Sequence, residues 1–319
     1  MSVYTELTHS DIESILSSYH LGALQSFEGI AAGIENSNFF VNTEQGRFVL
    51  TIFERLDANE LPYFMRLMRH LSAKGLSCPD VMMCDDNALL FKLIHDGEKK
   101  CGCIVSCLPG KILDALNEGQ LQASGVALAQ LHLAGKDFEM QRENPTGEIW
   151  LQEMVQKVME RCEEAYGKDA ALLLQDELKQ QQCYISHVLP TGVIHGDLFV
   201  DNILFEGEDV AGIIDFYYAH SAPWVMDIAI SLNAQAVVLG DADEKRMHVF
   251  LKGYTSLRPL KAEEEASLPM LLRVSALRFW VSRLYDALFP REGAMTQLKD
   301  PKEYERKLRL HRGKKYLVD

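Results

Sequence analysis

Apolar positions first recur at helical spacing over residues 9–19, then give way to a polar loop that holds Gly29 and Gly33. Two strand-like runs follow, Asn38–Asn42 and Arg47–Phe53, separated by the turn TEQG. Residues 60–73 set Leu61, Phe64, Leu67, Met68 and Leu71 close to the i, i+3, i+4, i+7 template, which predicts a helix. Further strand-like runs at 88–94 and 101–108 end at Pro109-Gly110, a turn signal.

Beyond Gly110 the pattern turns mostly helical, with helices predicted over 118–135, 147–165, 169–188, 223–238, 242–255, 262–288 and 300–311. The exception is 192–215, where short β runs, Asn202–Phe205 and Val210–Asp215, flank the polar turn EGED. The expected architecture is a small α+β N-lobe, residues 1–108, and a larger, mainly helical C-lobe, residues 109–319, joined by a connector near 106–112.

Composition narrows the function. The 319 residues carry 32 Lys and Arg against 46 Asp and Glu, a net charge of −14. An acidic surface repels phosphate backbones and anionic lipid, so neither nucleic acid nor membrane is the expected partner. No apolar run approaches the ~18 residues of a membrane span. The polar start lacks the pattern of a secretory leader, and the odd count of seven cysteines fits free thiols in a reducing cytoplasm.

Chemistry concentrates between Gly192 and Asp227. His195-x-Asp197 is followed by Asn202, and Asp215 closes the second β run. Phosphoryl transfer needs one carboxylate to orient and deprotonate the attacking hydroxyl, and oxygen ligands for Mg²⁺. Asp197 suits the first role; Asn202 and Asp215 are hard oxygen donors for the second. If EGED is the loop, Phe205 pairs with Val210 and Asn202 lies across from Ile213. Asp215, two residues on, then shares a face with Asn202, at the ~7–8 Å of diagonal neighbours. A one-residue slip would separate them. His195 on its own suits metal binding, general base work or bracing; with Asp197 supplying the base, it is read as the brace of the catalytic loop.

H-G-D-x-x-x-x-N followed by I-I-D-F resembles the aminoglycoside phosphotransferase-like kinases, relatives of protein kinases that act on small molecules. The resemblance implies a two-lobed protein-kinase-like α+β fold with a small antiparallel sheet in the nucleotide-binding N-lobe and a catalytic, acceptor-binding C-lobe. It implies ATP and Mg²⁺ as cofactors, Asp197 as catalytic base, and Asn202 and Asp215 as metal ligands. Asp227 matches a further Asp of that family, taken as structural. Within the family the chain is similar to the kinase-fold homoserine kinases, through VYTELT, FEGIAAGIENSNFFV, RFVLTIFE, HGDLFVDN, IIDFYYA, GYTSLRPL and ALRFWVSRLYD in order. That implies ATP-dependent phosphorylation of the side-chain hydroxyl of L-homoserine, a step towards threonine.

Other positions sort the chain within the kinases. Gly196 stands where many protein kinases carry a regulatory Arg, and the 11 residues between Asp215 and Asp227 leave no room for a long activation segment. Both features favour a small-molecule acceptor. The loop Gly29–Asn38 matches neither G-x-G-x-x-G nor Walker A. Gly29 and Gly33 allow close approach to phosphate, and Asn36, Ser37 and Asn38 add donors; an ordinary loop fits the same letters. Thr51 stands where a kinase strand carries its phosphate-binding Lys, leaving Arg55 as a candidate cation and Glu60 as its possible partner. The connector at Cys107 and Leu108 is the expected hinge, where adenine bonds to main chain.

Homoserine carries a carboxylate, which calls for Arg. Arg278 and Arg283 sit with Asp286 at helical spacing; a surface pair of Arg283 with Asp286 is the alternative. Tyr217 lines the pocket or packs in the core, and Asp201 meets the acceptor's ammonium group or sits in a solvated loop. Cys101, Cys103 and Cys107 share one face of a strand and read as small core residues. Alternative readings are another small hydroxylated acceptor (an aminoglycoside, choline or ethanolamine) and an inactive kinase-fold binding module, which Thr51 favours and the complete Asp197, Asn202 and Asp215 set opposes.

Overall fold

The structure is a computed structural model describing residues 5–30, 36–182, 188–239, 243–290 and 299–314. It divides into two compact units. One runs to Pro109 and takes in Gly212–Ile214; the other comprises Gly110–Ala211 and the bulk of the chain from Asp215 onward.

The first unit contains α1 (His9–Leu16), β1 (Leu24–Gly29), β2 (Asn36–Thr43), β3 (Gly46–Phe53), α2 (Leu61–Ala73), β4 (Phe91–His95) and β5 (Glu98–Ser106). The strands form one antiparallel sheet in the order β1-β2-β3-β5-β4. A capping box starts α1: the Thr8 side chain accepts from Asp11 N–H, and the Asp11 carboxylate accepts from Thr8 N–H. The helix buries Ile12, Ile15 and Leu16 against Phe39, Val41, Leu50, Ile52 and Ile104. Because strand side chains alternate, Leu50 and Ile52 meet that core while Thr51 faces the other side of the sheet. The sequence pattern reads residues before Gly29 as loop. They form β1, whose mostly exposed positions give no apolar alternation to detect.

The second unit contains α3 (Glu118–Ala134), α4 (Glu148–Tyr166), α5 (Lys168–Gln182), β6 (Thr191–Ile194), β7 (Ile203–Glu206), β8 (Asp209–Ile213, whose last two residues count with the first unit), β9 (His220–Pro223), α6 (Trp224–Ser231), α7 (Asp243–Thr255), α8 (Ala262–Leu288) and α9 (Pro301–Gly313). Its core gathers Leu151, Val158, Leu174, Ile230, Trp280, Leu284 and Tyr304 from α4, α5, α6, α8 and α9. Helices α3 and α7 meet backbone to backbone. A Cβ on Gly125 would lie 2.1 Å from Phe250 O, and one on Gly253 would lie 2.1 Å from Gln122 O.

Two details correct the sequence pattern. The second β run stops at Ile213, short of Asp215, and Asn202 belongs to a 3₁₀ turn (Val200–Asn202) rather than to β7. The same-face argument for Asn202 and Asp215 therefore does not apply, because neither lies on a strand. The short antiparallel pair β6–β9 was also absent from the pattern, since its four-residue strands are too brief to show a period. No helix among the described residues is long and apolar enough to cross a membrane.

Candidate active site

Strand β6 delivers the chain into His195-Gly196-Asp197. Gly196 adopts φ +77°, and a Cβ there would come 2.8 Å from Tyr218 O, so only glycine fits this turn. Asp227 on α6 holds the turn from below, accepting from His195 N–H at 2.7 Å and Gly196 N–H at 3.0 Å. His132 Nε2 lies 3.1 Å from the same carboxylate, and His132 Nδ1 lies 2.7 Å from Tyr254 OH. Arg258 donates to the Tyr254 oxygen at 3.1 Å and closes on Glu264 with two bonds. Burial lowers the pKa of His132 more than Asp227 raises it, so the imidazole is neutral, donating from Nε2 and accepting at Nδ1. Burial works to raise the Asp227 pKa, yet the His132 contact and the Gly196 N–H keep it below the usual carboxylate range. The loop thus rests on a fully buried, ionised carboxylate.

The Asp197 side chain is 25% exposed, enough for solvent or a ligand to reach it. Its N–H donates to His195 Nδ1 at 3.3 Å, and the fully buried His195 ring packs 4.9 Å from Phe216. These contacts are those of a loop brace. From α8, Arg278 donates to Gly196 O at 3.0 Å and to Thr146 Oγ1 at 2.9 Å, and its Nη1 lies 4.0 Å from Asp197 Oδ1. Burial pulls the Arg278 pKa below its ordinary value, and the neighbouring Asp197 charge opposes that.

Asn202 donates through Nδ2 to Asp197 O at 2.8 Å, with Asp197 Oδ2 3.5 Å away. That bond spends the amide nitrogen and turns the amide oxygen into the group left for a ligand. Asp215 is exposed in the left-handed region, at φ 64° and ψ 64°. An amide oxygen and an exposed carboxylate fit a hard cation that shares its shell with phosphate oxygens. Among the described residues no three His, Cys, Asp or Glu side chains gather as a self-sufficient metal cluster.

The remaining C-lobe positions separate. Asp201 pairs with Lys299 at 2.9 Å, and Lys299 Nζ also sits 5.0 Å over the Phe199 ring. Arg283 donates to Glu303 at 2.7 Å and to Asp300 O at 3.0 Å, which ties α8 to α9. Tyr217 lies half-buried in the 3₁₀ turn after Asp215.

In the first unit, Gly29 ends β1 opposite Phe39, and Gly33 lies outside the described residues. Asn36 is buried, and its Oδ1 has no partner among the described residues. Ser37 accepts from Thr5 N–H and donates to Glu54, while Asn38 Oδ1 accepts from Thr51 at 2.8 Å. Lys100 donates to Glu54 and to Thr5 Oγ1, both at 2.7 Å. Arg55 is exposed and Glu60 half-buried. At the end of β5, Cys107 N–H donates to Arg47 O at 3.4 Å, and Leu108 fills the space a Cβ on Gly212 would take. The sequence reading missed Lys100, Glu54, His132, Thr146 and Lys299. Each acts on a residue tens of positions away, where no local pattern can show it.

A site with these parts on this scaffold is that of a phosphotransferase, and the profile of the phosphotransferase enzyme family matches residues 26–260. The chain belongs to that family. Homoserine kinase of Neisseria meningitidis serogroup B is 40% identical over 305 residues, covering 95% of this chain and 97% of that protein. Homoserine kinase of Methylobacillus flagellatus is 40% identical over 310 residues, covering 97% and 95%. Among solved structures, an amicoumacin kinase in complex with AMP-PNP and Ca²⁺ has a TM-score of 0.70 at 17% identity, covering 96% of this chain and 92% of that one. Choline kinase from Cryptosporidium parvum has a TM-score of 0.63 at 13% identity, covering 96% and 95%. At such identities the likeness is one of fold, and the fold is kinase-like: an antiparallel sheet unit followed by a helical one.

Proposed function

We propose that the chain is an ATP-dependent kinase that phosphorylates the side-chain hydroxyl of L-homoserine, a cytoplasmic step towards threonine. Homoserine is favoured as acceptor by two near-full-length relatives of that name at 40% identity. The observation that carries the phosphotransfer reading is the partly exposed Asp197 carboxylate, fixed beside the Asn202 amide on a loop braced by Asp227 and Arg278.

In this reading Asp197 accepts the proton of the acceptor hydroxyl through its carboxylate oxygen, and the hydroxyl oxygen takes the γ-phosphoryl group of ATP as the bond from that phosphorus to the bridging oxygen breaks and ADP leaves. Asn202 through Oδ1 and Asp215 through its carboxylate would hold Mg²⁺. When bound with nucleotide, the ion neutralises charge on the phosphates. Gly29 and the segment through Gly33 to Asn38 would cover the phosphates, and the main chain at Cys107 and Leu108 would meet adenine. Catalysis is then positioning plus electrostatics, supplied by residues held before the acceptor arrives.

The test is ADP release by the purified protein with ATP, Mg²⁺ and one acceptor at a time: homoserine, choline, ethanolamine, an aminoglycoside. The expected result is release with homoserine well above the others. Release with another acceptor alone contradicts the acceptor assignment, and release with none contradicts the enzyme assignment.

A further inference from the structure

The second unit holds a cavity of about 190 Å³ beside the catalytic loop. Gly196 of the loop, Arg278 of α8 and the turn from Asn144 to Glu148 line it, with apolar walls from α4, α5, α6 and α8. The volume is below the about 300–1,000 Å³ of sites for drug-sized ligands, which suits a small acceptor.

Two independent features of the lining call for a carboxylate. The first is Arg278. It is only 6% exposed, and its bonds to Thr146 Oγ1 and Gly196 O fix the guanidinium plane at the cavity. An Asx turn in which Asn144 Oδ1 accepts from the Thr146 N–H and hydroxyl holds Thr146 in place for that contact. A planar, immobilised guanidinium matches a carboxylate in two-pronged fashion. The second is the start of α4. Its N-cap is Gly147, which has no side chain to cap the first-turn N–H groups of a 19-residue helix, and Gly147 itself lines the cavity. A helix start presents N–H donors and the positive end of the dipole. The next residue, Glu148, adds an exposed carboxylate at the same cavity.

We propose that this cavity is the acceptor pocket and that it is built for an α-amino acid. Arg278 and the α4 N-terminus hold the carboxylate. Glu148 faces the ammonium group. The apolar walls take the methylenes of a side chain whose hydroxyl meets Asp197, 4.0 Å from Arg278. This deepens the homoserine kinase reading and rests on it.

The experiment compares homoserine with 3-aminopropan-1-ol, which is homoserine without its carboxylate. Gly147→Asp places a tethered carboxylate at the α4 N-cap, where it competes with the acceptor's while giving the helix a good cap. The ratio of kcat/KM for homoserine over 3-aminopropan-1-ol is expected to fall at least about tenfold in Gly147→Asp, a loss of roughly 1.4 kcal/mol of carboxylate recognition. KM for ATP is expected to move less than about twofold, since nucleotide contacts lie elsewhere. Arg278→Gln should lower the same ratio. Because Arg278 also holds Gly196, that variant's folding is itself at risk, whereas Gly147→Asp keeps the comparison available. An unchanged ratio in Gly147→Asp overturns the pocket assignment and leaves homoserine phosphorylation standing. A wild-type protein that uses both acceptors equally well does the same. A wild-type protein that leaves homoserine unphosphorylated overturns both.

Discussion

The catalytic loop and the start of β2 are each organised around a buried carboxylate, and the two carboxylates are satisfied in different ways. Asp227, with no exposure, accepts two main-chain N–H groups and the Nε2–H of a neutral imidazole. Its partners dictate the backbone path of the residues flanking Asp197. Glu54, 9% exposed at its side chain, is met by the Lys100 ammonium and the Thr5 and Ser37 hydroxyls. Its partners come from three separate segments, so it ties elements together without shaping a turn. A carboxylate that sets main-chain geometry has no substitute when lost. One that knots side chains can be replaced with a modest penalty.

That contrast ranks the expected effects. Asp227→Asn should cost most, about 3–5 kcal/mol, because it leaves buried donors misdirected around a neutral amide. Chemical denaturation would measure it, and a loss below about 1 kcal/mol would erase the distinction between the regions. Lys100→Met should cost less, about 1–3 kcal/mol, since Glu54 keeps its two hydroxyl partners and some solvent. A Lys100→Met, Glu54→Gln double-mutant cycle would show how much of that is the pair itself.

A third effect is graded and depends on pH. Burial pushes down the pKa values of His132, His220 and His311, that of His311 to about 3. Glu54 and Glu303 are held below the usual carboxylate range, where contacts from Lys100 and Lys307 outweigh the opposing effect of burial. In every case the folded chain binds fewer protons than the unfolded chain once pH drops below the unfolded pKa. The stability contributed by these groups is therefore complete above about pH 6.5 and declines as pH falls, with His311 contributing up to about 1.4 kcal/mol per unit between 6.5 and 3. His311→Gln, which can still donate to Asn233, should flatten the fall of Tm between about pH 6 and 4. An unaltered slope would mean that His311 titrates normally.

Much of this was legible along the chain, and what was not has a physical reason. Helix α2, with its strong apolar period, falls where its spacing puts it, at Leu61–Ala73, and α8 falls at its expected bounds, Ala262–Leu288. The polar edge strand β1 and the four-residue β6 and β9 carry no period. Asp197, Asn202 and Asp215 stand out because they are close in sequence and chemically matched. Their supports do not. His132 reaches Asp227 across 95 positions, Arg278 reaches Thr146 across 132, and Lys299 reaches Asp201 across 98. Asp201 read as a candidate for the acceptor's ammonium group, and in the fold it carries an ion pair that joins the catalytic loop to the segment leading into α9. Thr51, the position that read as a missing lysine, is buried and bonded to Asn38 across the β2–β3 ladder.

The central claim is that Asp197 takes the proton from the acceptor hydroxyl without serving to bind nucleotide. The most direct measurement pairs turnover of homoserine, followed by ³¹P NMR of the phosphorylated product, with calorimetric ATP affinity, in wild type and Asp197→Asn. Turnover should fall about 10²–10⁴-fold in the variant while ATP affinity stays within about twofold. Near-normal formation of phosphohomoserine by Asp197→Asn would contradict the account.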